Sequence, residues 1–485
     1  MSTPDLTVLA LYLAGVVAAG CWFAKRSNSG TDAFMAAGRR LPGWVVGLSI
    51  FGTYVSSISF LANPGASYGS NWLPFAFSLS LPFAAWIATK YFVPFYRSTG
   101  EVSAYSHMEH RFGPWARAYL VFCYMLTQLA RIGAILYLVA IAVEPLTGWD
   151  VRAIIVVTGV LVIAYTLLGG IEAVIWTDVV QSIVLTAGIL LSLFVLLTGM
   201  PEGAGQVFQI AGEHHKFQLG EHGFHLVAAS FVGVFLFGLF ENLKNFGIDQ
   251  SYVQRYATAK SGREARKSVW IGALTYIPVS ALLFLVGTAL FAFYHAQPDL
   301  LPVGTDADKV FPHFIKTQLP VGATGLLIAA VLAAAMSSVD SSLNSSATLY
   351  LCDIHKRFVD TATTEREGMR ALRIATVVFG IVGVGSGLVF NSLGGSVLNN
   401  WWTISGILSG GMLGLFLLAM SSRAKNAGAV IGVCVGVAVI VWMATSKWMP
   451  EDFPLRYALN GKFIIVIGTL TIFGVGVGVS RLRRS

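Results

Sequence analysis

The residues best suited to chemistry lie in one serine-rich stretch, residues 332–348. In a helix, several small residues of this stretch fall at the spacing i, i+3, i+4, i+7 and i+11 and share one face. They are Ala334, Ser337, Ser338, Ser341 and Ser345. This face presents a ladder of hydroxyl oxygens, and Asp340 places a carboxylate about 100° round the helix from Ser341. Such oxygens suit hard cations such as sodium, although small residues also allow two membrane helices to pack closely.

The composition indicates that this helix crosses a membrane. Of the 485 residues, 55% are hydrophobic and only 12% are charged, whereas about 25% of a typical soluble domain is charged. The mean hydropathy is +0.70. Runs of about 20 apolar residues recur along the chain, and no polar stretch is long enough to form a soluble domain. We therefore predict an all-α polytopic membrane protein with a single transmembrane domain over residues 1–485.

Several functional classes find no support in the sequence. The four cysteines are isolated and form neither a metal-ligand spacing nor a disulfide framework. No phosphate-binding loop and no catalytic constellation is visible, so neither ATP drive nor enzymatic activity is expected. The net charge of +8 is better explained by basic cytoplasmic loops than by nucleic-acid binding.

We predict thirteen transmembrane helices, with the N-terminus outside and the C-terminus in the cytoplasm. The predicted spans are 6–24, 43–69, 72–96, 115–146, 150–168, 172–199, 223–250, 268–295, 320–354, 370–393, 397–420, 427–446 and 460–480. This topology leaves most lysine and arginine residues on the inner side, as the positive-inside rule requires. The first span lacks a basic region before it and a small-residue cleavage site after it, which favours a retained helix over a signal peptide.

Two of the predicted spans contain polar residues and helix breakers. The interruptions fall at 51–59 and 63–65 in the first case and at 240–247 in the second. Non-helical backbone at membrane depth is tolerated only where it is buried in protein or lines a cavity. The interrupted spans begin two groups of five, 43–199 and 223–420, and an odd number of spans makes the second group inverted relative to the first. Interrupted helices at matching places in inverted halves indicate a transporter binding site.

Four stretches resemble the sodium:solute symporter family, which includes sodium-glucose, proline and bacterial sialic-acid symporters. They are DAFMAAGR at 32–39, LGGIEAVIWTDVVQ at 168–181, NFGIDQSYVQRY at 245–256 and the serine-rich stretch. The resemblance covers nearly the whole chain and is nearest to the sialic-acid symporters, through Arg131, Asp178 and the serine-rich stretch. It implies a LeuT-like core of five plus five helices and sodium-coupled import of a small polar solute by alternating access.

The resemblance also implies a common sodium site between the first interrupted helix and the serine-rich helix. Its ligands are expected to be the backbone carbonyls of Gly52, Val55 and Ala334 and the hydroxyls of Ser337 and Ser338. A second sodium site, present in some members, would use Asp178, Ser337, Asp340 and Ser341. The sialic-acid symporter has a serine where Asp340 stands. Two nearby carboxylates could hold sodium more strongly or share a proton, and Asp178 could instead serve as a structural partner for a helix end.

Arg131 lies in the middle of a predicted span, where a charged residue is by default a functional candidate. Its planar fork suits a substrate carboxylate, as the resemblance implies, and the alternative is a salt bridge to a protein acid. Other predicted cavity residues are Tyr54, Ser56, Ser59, Phe60, Ser78, Gln128, Asn242, Asn245 and Phe246. Glu241 and Lys244, at i and i+3, would neutralise each other unless Lys244 meets the substrate. Asp249 and Arg255 are expected to anchor the inner end.

These observations define a functional hypothesis and its competitors. The expected solute is an acidic sugar such as sialic acid, ahead of neutral sugars or polyols and, third, of small carboxylates or amino acids. Tyr54 replaces a smaller hydroxyl residue of the sialic-acid symporter and Ser78 replaces an amide. These changes reshape the pocket and keep the other solutes as alternatives to sialic acid. The expected partners are one or two sodium ions, the solute and membrane lipid, and we expect a monomer in a bacterial inner membrane. A proton-coupled carrier would use Asp178 or Asp340 as a titrating group. The hypothesis also competes with a sensor or channel of the same fold and with a membrane enzyme.

Overall fold

The computed structural model describes residues 2–27, 29–221, 229–393, 397–421, 424–446, 449, 450, 454, 456, 457 and 459–482. Over these residues the protein is helical and contains no β-strand, although one isolated bridge pairs Leu41 with Ala259. The long helices are α1 (Thr3–Ser27), α2 (Gly43–Tyr54), α3 (Ile58–Gly69), α4 (Leu73–Thr99), α5 (Pro114–Thr147), α6 (Val151–Thr198), α7 (Phe231–Ile248), α8 (Gln250–Thr258), α9 (Gly262–Ala296), α10 (Ala323–Val359), α11 (Glu365–Leu393), α12 (Val397–Met420), α13 (Asn426–Thr445) and α14 (Phe463–Leu482). Shorter helices in the connections are Thr31–Ala36, Ser106–Phe112, Gly205–Glu213 and Ala307–Thr317.

The described helices fit a polytopic membrane protein. Ten of them are long and apolar enough to cross a membrane, and the bent pair α2–α3 would make an eleventh. Two further apolar segments are shorter, Thr3–Val16 in α1 and Val151–Leu167 in α6. The expectation of an all-helical membrane protein is therefore confirmed, while the number of thirteen spans stays a prediction. Residues 223–228 of the predicted span 223–250 lie outside the described residues, and α7 begins at Phe231.

The first interrupted helix breaks in the region that the sequence predicts. Helix α2 ends at Tyr54, and Val55 has an extended backbone with φ −83° and ψ 97°. Helix α3 begins at Ile58, and the two helices are bent by 57° relative to each other. Because a helix leaves its last carbonyl groups without intrahelical partners, this break makes backbone oxygens available to other groups in the interior of the protein.

The second interruption lies just after the region that the sequence predicts. Residues 240–247 are helical within α7, and the chain breaks at Asp249, whose backbone is extended with φ −72° and ψ 121°. The physical reason is a cap: Asp249 Oδ1 accepts a 2.9 Å hydrogen bond from the backbone N–H of Ser251 and thereby starts α8. The polar residues of α7 therefore remain on a helix, where their side chains can be aimed at a cavity.

Helix α6 contains a kink that divides the predicted spans 150–168 and 172–199. Gly170 has φ 55° and ψ −167° there. A Cβ atom at this position would stand 3.0 Å from both the ring and the carbonyl oxygen of Phe34. Only glycine combines this backbone conformation with such a close approach.

Helix α10, which carries the serine-rich stretch, is the central helix of the protein. Within its most apolar window 94% of the residues are buried, compared with 33% for the corresponding window of α11. It packs against α1, α5 and α6. Its first turn is capped from α1, because Asp5 Oδ1 accepts hydrogen bonds from the backbone N–H groups of Gly322 (2.9 Å) and Gly325 (3.0 Å).

Candidate sodium and substrate sites

Residues predicted for the common sodium site come together where the end of α2 meets the middle of α10. A Cβ atom at Gly52 would stand 3.2 Å from Ser337 Oγ, so the two helices touch at this glycine. Ser338 Oγ donates a 3.4 Å hydrogen bond to the carbonyl oxygen of Thr53. Val55 belongs to the same break as Gly52 and Thr53.

The oxygens at this contact fit a monovalent cation. Ala334, one helical turn before Ser338, and Ser337 are each 1% exposed, and Ser338 is fully buried. The oxygens that these residues contribute are neutral carbonyl and hydroxyl groups, which belong to the class of ligands that hard cations prefer. A ligand set of this kind needs no full counter-charge around an ion that carries a single positive charge. The residues present therefore fit the expected sodium.

The acid predicted for a second sodium site is held by a protein cation. Asp178 is fully buried, and its Oδ2 lies 2.9 Å from Arg255 Nη2. The same carboxylate accepts hydrogen bonds from the hydroxyls of Ser49 and Ser337. Arg255 Nη2 also donates a 2.7 Å hydrogen bond to Ser341 Oγ. The guanidinium thus lies between groups that the sequence assigns to a sodium ion, a contact that sequence reasoning missed.

Asp340 has a different set of partners from Asp178, although both contact α6 or lie on it. It is fully buried, and its Oδ2 accepts a 2.8 Å hydrogen bond from the hydroxyl of Tyr165 on α6. Its Oδ1 lies 3.3 Å from Ser341 Oγ, which donates to it. Among the described residues no lysine, arginine or histidine forms an ion pair with this carboxylate. Ser341 therefore connects Asp340 to the pair formed by Asp178 and Arg255.

A central cavity beside the first break collects most of the predicted substrate residues. Those that line it are Tyr54, Ser56, Ser59, Ser78, Gln128, Arg131 and Asn245. Arg131 Nη2 donates a 2.7 Å hydrogen bond to the carbonyl oxygen of Thr53. No acid in the described part of the chain lies within salt-bridge distance of Arg131, so the alternative of a structural ion pair finds no partner there.

Three predicted substrate residues lie behind the cavity lining instead. Phe60 packs against Phe311, with 5.7 Å between the ring centroids. Phe246 is fully buried and packs behind Tyr54, with 5.8 Å between the ring centroids. Asn242 points its amide nitrogen at Ser80 Oγ, 2.9 Å away. These residues lie on the two interrupted helices, as the prediction has them, but they pack between helices.

Charged residues of α7 line the cavity in addition. Lys244 Nζ lies 2.9 Å from Glu241 Oε1 and 4.0 Å from Asp249 Oδ2. The expectation that Glu241 and Lys244 neutralise each other is therefore confirmed, and both of them also face the cavity. Further lining residues outside the prediction are Asn63, Thr127, Tyr252, Tyr276, Trp401 and Trp402. The signal for the α7 charges was visible in the sequence, since charged residues within a span face a cavity or a partner.

A second cavity adjoins the central one and shares Pro74, Leu398 and Trp402 with its lining. It is bordered by the C-terminal part of α3 and by the segment that contains Asp306 and Lys309. The second cavity therefore connects the central cavity to the end of the protein where these two elements meet.

Comparisons with known proteins identify the family of this chain. The model of the sodium:solute symporter family matches residues 34–436. The sodium/sialic acid symporter NanT of Aliivibrio fischeri is 34% identical over 481 residues, which cover 98% of this chain and 92% of that protein. The sodium/sialic acid symporter SiaT of Proteus mirabilis is 32% identical over 479 residues, with coverage of 96% and 94%.

Solved structures give the same result at the level of the fold. A Na⁺-coupled sialic acid symporter in a substrate-bound, outward-open state matches with a TM-score of 0.91 and 30% identity, and the match covers 99% of this chain and 98% of that chain. A nucleobase-cation-symport-1 family transporter shares the fold with a TM-score of 0.61 at 17% identity. The protein is thus a multi-pass membrane transporter that couples solute movement to sodium, and it is not an enzyme. The chain belongs to the sodium:solute symporter family.

Proposed function

We propose that this symporter imports a carboxylate-bearing sugar, with sialic acid as the first candidate. The observation that carries the proposal is the guanidinium of Arg131, which lines the central cavity and meets no protein acid among the described residues. A planar fork with free donors binds a carboxylate through two parallel hydrogen bonds. The sialic acid substrates of NanT and SiaT support the same assignment.

We infer thirteen spans arranged as one additional helix, two inverted groups of five and two C-terminal helices. The first group would comprise residues 43–199 and the second residues 223–420, preceded by 6–24 and followed by helices within 427–480. The breaks α2–α3 and α7–α8 support this division, because each lies in the first span of its group. The charge distribution supports an external N-terminus and a cytoplasmic C-terminus, and the bacterial relatives support an inner-membrane location.

The coupling between sodium and solute follows from the contact of α2 with α10. Sodium held by oxygens of both helices would stabilise the outward-open arrangement in which the cavity binds its solute. Because such coupling is reciprocal, bound solute would raise the affinity for sodium by the same factor. The core would then rock and release both inward, so the sodium gradient, and not ATP, would drive transport. All proposed ligands come from one chain embedded in lipid, which supports a functional monomer.

The number of sodium ions depends on Arg255. A second ion at Asp178, Ser337, Asp340 and Ser341 would compete with the guanidinium that now contacts Asp178 and Ser341. We therefore propose one sodium at the common site, and a second one only in a state in which Arg255 leaves Asp178. Sodium-dependent uptake should then show a Hill coefficient near one.

The substrate proposal is tested by uptake of radiolabelled sialic acid into proteoliposomes with an inward sodium gradient. Uptake should require sodium at constant pH, and Arg131→Lys, which keeps the charge but loses the fork, should raise KM roughly tenfold or more. Arg152→Lys, at an exposed position, is the matched control. Stabilisation by neutral sugars but not by acids in a parallel thermal-shift screen would refute the role of Arg131. Uptake that follows a pH gradient and ignores sodium would refute sodium coupling.

A further inference from the structure

One carboxylate oxygen at the central cavity has no partner in the described part of the protein. Glu241 is 6% exposed and lies on α7, facing the cavity. Its Oε1 is occupied, because Lys244 Nζ lies 2.9 Å away and Ser405 Oγ donates a 2.7 Å hydrogen bond to it. Its Oε2 is buried and accepts no hydrogen bond from a described residue.

This arrangement offers one specific acceptor to a ligand group. Native proteins partner nearly all buried acceptors, because an unpaired one has lost its water without gaining a donor. The negative charge of Glu241 is already balanced by the ammonium of Lys244. Glu241 Oε2 therefore requires a hydrogen-bond donor and not a second cation, and the neutral donors of this kind are a hydroxyl and an amide N–H.

The position of Glu241 relative to Arg131 narrows the class of ligand. Arg131 is on α5 and Glu241 on α7, and both line the same cavity. The first offers only donors, and the second offers a free acceptor. A ligand that satisfies both must carry a carboxylate at one end and a hydroxyl or amide N–H elsewhere, which small monocarboxylates without further polar groups lack.

We propose that Glu241 is a specificity-determining residue whose Oε2 accepts a hydrogen bond from a hydroxyl or amide N–H of a polyhydroxylated acid bound at Arg131. The inference rests on the proposed function, since it takes the carboxylate of the solute to lie at Arg131. Because Ser405 belongs to α12, the same carboxylate also joins α7 to α12. A solute that reaches Glu241 therefore contacts the residue through which these two helices meet.

The test uses the full chain, purified in detergent and titrated calorimetrically in sodium buffer. The ligands are N-acetylneuraminic acid and a set of analogues that each lack one hydroxyl or the N-acetyl group. Glu241→Gln is the informative variant, because its amide oxygen can replace Oε1 toward Lys244 and Ser405 and its NH₂ then stands where Oε2 was. Glu213→Gln is the matched control, since Glu213 lies exposed on the helix Gly205–Glu213.

We expect Glu241→Gln to weaken binding of N-acetylneuraminic acid roughly tenfold or more, and Glu213→Gln to leave it unchanged. The analogue that lacks the group donating to Glu241 should bind the wild-type protein as weakly as the parent sugar binds Glu241→Gln. The Glu241→Gln variant should bind this analogue and the parent sugar with the same affinity. If Glu241→Gln does not fold, Glu241→Asp is used instead, because it keeps the charge but withdraws the acceptor. It should bind the parent sugar more weakly by the same factor and should likewise not distinguish the parent sugar from that analogue.

Four outcomes separate the hypotheses. Binding of the parent and all analogues within twofold of wild type, in whichever Glu241 variant folds, would overturn the inference. The inference would also be overturned if the protein bound amino acids more tightly than acidic sugars and lost this binding in Glu241→Gln. The acceptor would then bind the ammonium group of the ligand, which is a cation. If the wild-type protein binds no acidic sugar, the proposed function itself fails, whereas Arg131-dependent binding that ignores Glu241 refutes only this inference.

Discussion

Two buried carboxyl groups and the half-buried Arg131 near α10 are held by three different kinds of partner. Asp178 has the guanidinium of Arg255, Asp340 has the hydroxyl of Tyr165, and Arg131 has a backbone carbonyl. The full ion pair is the most constrained of these, because a buried charge that loses its partner remains uncompensated. A carbonyl partner leaves Arg131 with donors to spare, which is the property that a binding site needs.

Ser338→Ala should weaken the dependence of transport on sodium. The hydroxyl faces the end of α2, where the proposed ion would use it as a ligand, so the sodium concentration for half-maximal uptake should rise about tenfold or more. Uptake into proteoliposomes over a range of sodium concentrations measures this shift. Ser346→Ala is the matched control, since the hydroxyl of Ser346 is buried on the same helix and has no hydrogen-bond partner among the described residues. An equal shift in both variants would contradict the ligand role.

Asp178→Asn should destabilise the protein by about 3–5 kcal/mol, because it leaves Arg255 buried without a counter-charge. Equilibrium unfolding in mixed micelles measures the difference. The double variant Asp178→Asn/Arg255→Met removes both charges and should recover part of the loss. If the double variant is less stable than Asp178→Asn by the full effect of Arg255→Met alone, the two residues are not coupled.

The sequence could predict the contact of α2 with α10 better than its surroundings. Ser337 and Ser338 are adjacent on one helix, and the break near Val55 is visible in the residue types, so periodicity and family resemblance are sufficient. The contact of Arg255 with Asp178 joins residues 77 positions apart. It depends on how α8 and α6 pack, which no local pattern encodes. For the same reason the sequence predicts Phe60 and Phe246 in the cavity lining, whereas they lie behind it.

At the scale of elements, interruptions of the helices position the site. At the first break, the apolar side chain of Val55 cannot cap a helix end, and α2 ends there beside α10. The break at Asp249 is defined by a side-chain cap and ends α7 after its charged residues. Hydropathy predicts both interrupted spans, but the second break is displaced because the aspartate cap determines where the new helix starts.

Asp5→Ala should loosen the first turn of α10. The variant removes the acceptor for the N–H groups of Gly322 and Gly325, which should cost about 1 kcal/mol. Hydrogen–deuterium exchange should accelerate at the start of α10 and stay unchanged in its buried middle. Asp306→Ala is the control, because Asp306 precedes a helix without capping it through its side chain. Unchanged exchange at Gly322 and Gly325 would show that the cap contributes nothing.

At the scale of the whole molecule, ion pairs hold helices together at the end of the protein opposite the second cavity. Glu109 lies 2.9 Å from Arg117 and 2.7 Å from Arg357. Arg117 also lies 2.5 Å from Asp353. These contacts join the short helix Ser106–Phe112 and the start of α5 to the last turns of α10. We expect the short helix and the start of α5 to separate from the end of α10 when this end of the protein opens.

Loss of the Glu109 charge should open this end of the protein. The hydrogen bonds from Arg357 and Arg117 hold the pKa of the Glu109 carboxyl below its ordinary value of 4.5. A lowered pKa means that the carboxylate stabilises the closed end fully above pH 4.5 and loses this effect as the pH falls through the lowered value. At neutral pH, Glu109→Gln should mimic that loss and accelerate maleimide labelling of Cys352, whose carbonyl accepts a hydrogen bond from Arg117.

Peptide mass spectrometry resolves this labelling, with the same protein labelled after unfolding in denaturant as the reference for complete reaction. Glu213→Gln, on an exposed helix elsewhere, should leave the Cys352 rate unchanged. A Cys352 rate that is the same in Glu109→Gln and in the wild-type protein would show that the ion pairs do not hold this end closed.

The cap on α10 also has a practical consequence for expression and purification. The carboxylate of Asp5 reaches a backbone group 317 positions away in the chain. A fusion partner or affinity tag joined directly to the N-terminus therefore adds bulk beside the first turn of the helix that carries the proposed sodium ligands. A tag at the C-terminus, beyond α14, avoids that contact. Protein from the two kinds of expression vector should accordingly differ in thermal stability, with the C-terminally tagged form being the more stable.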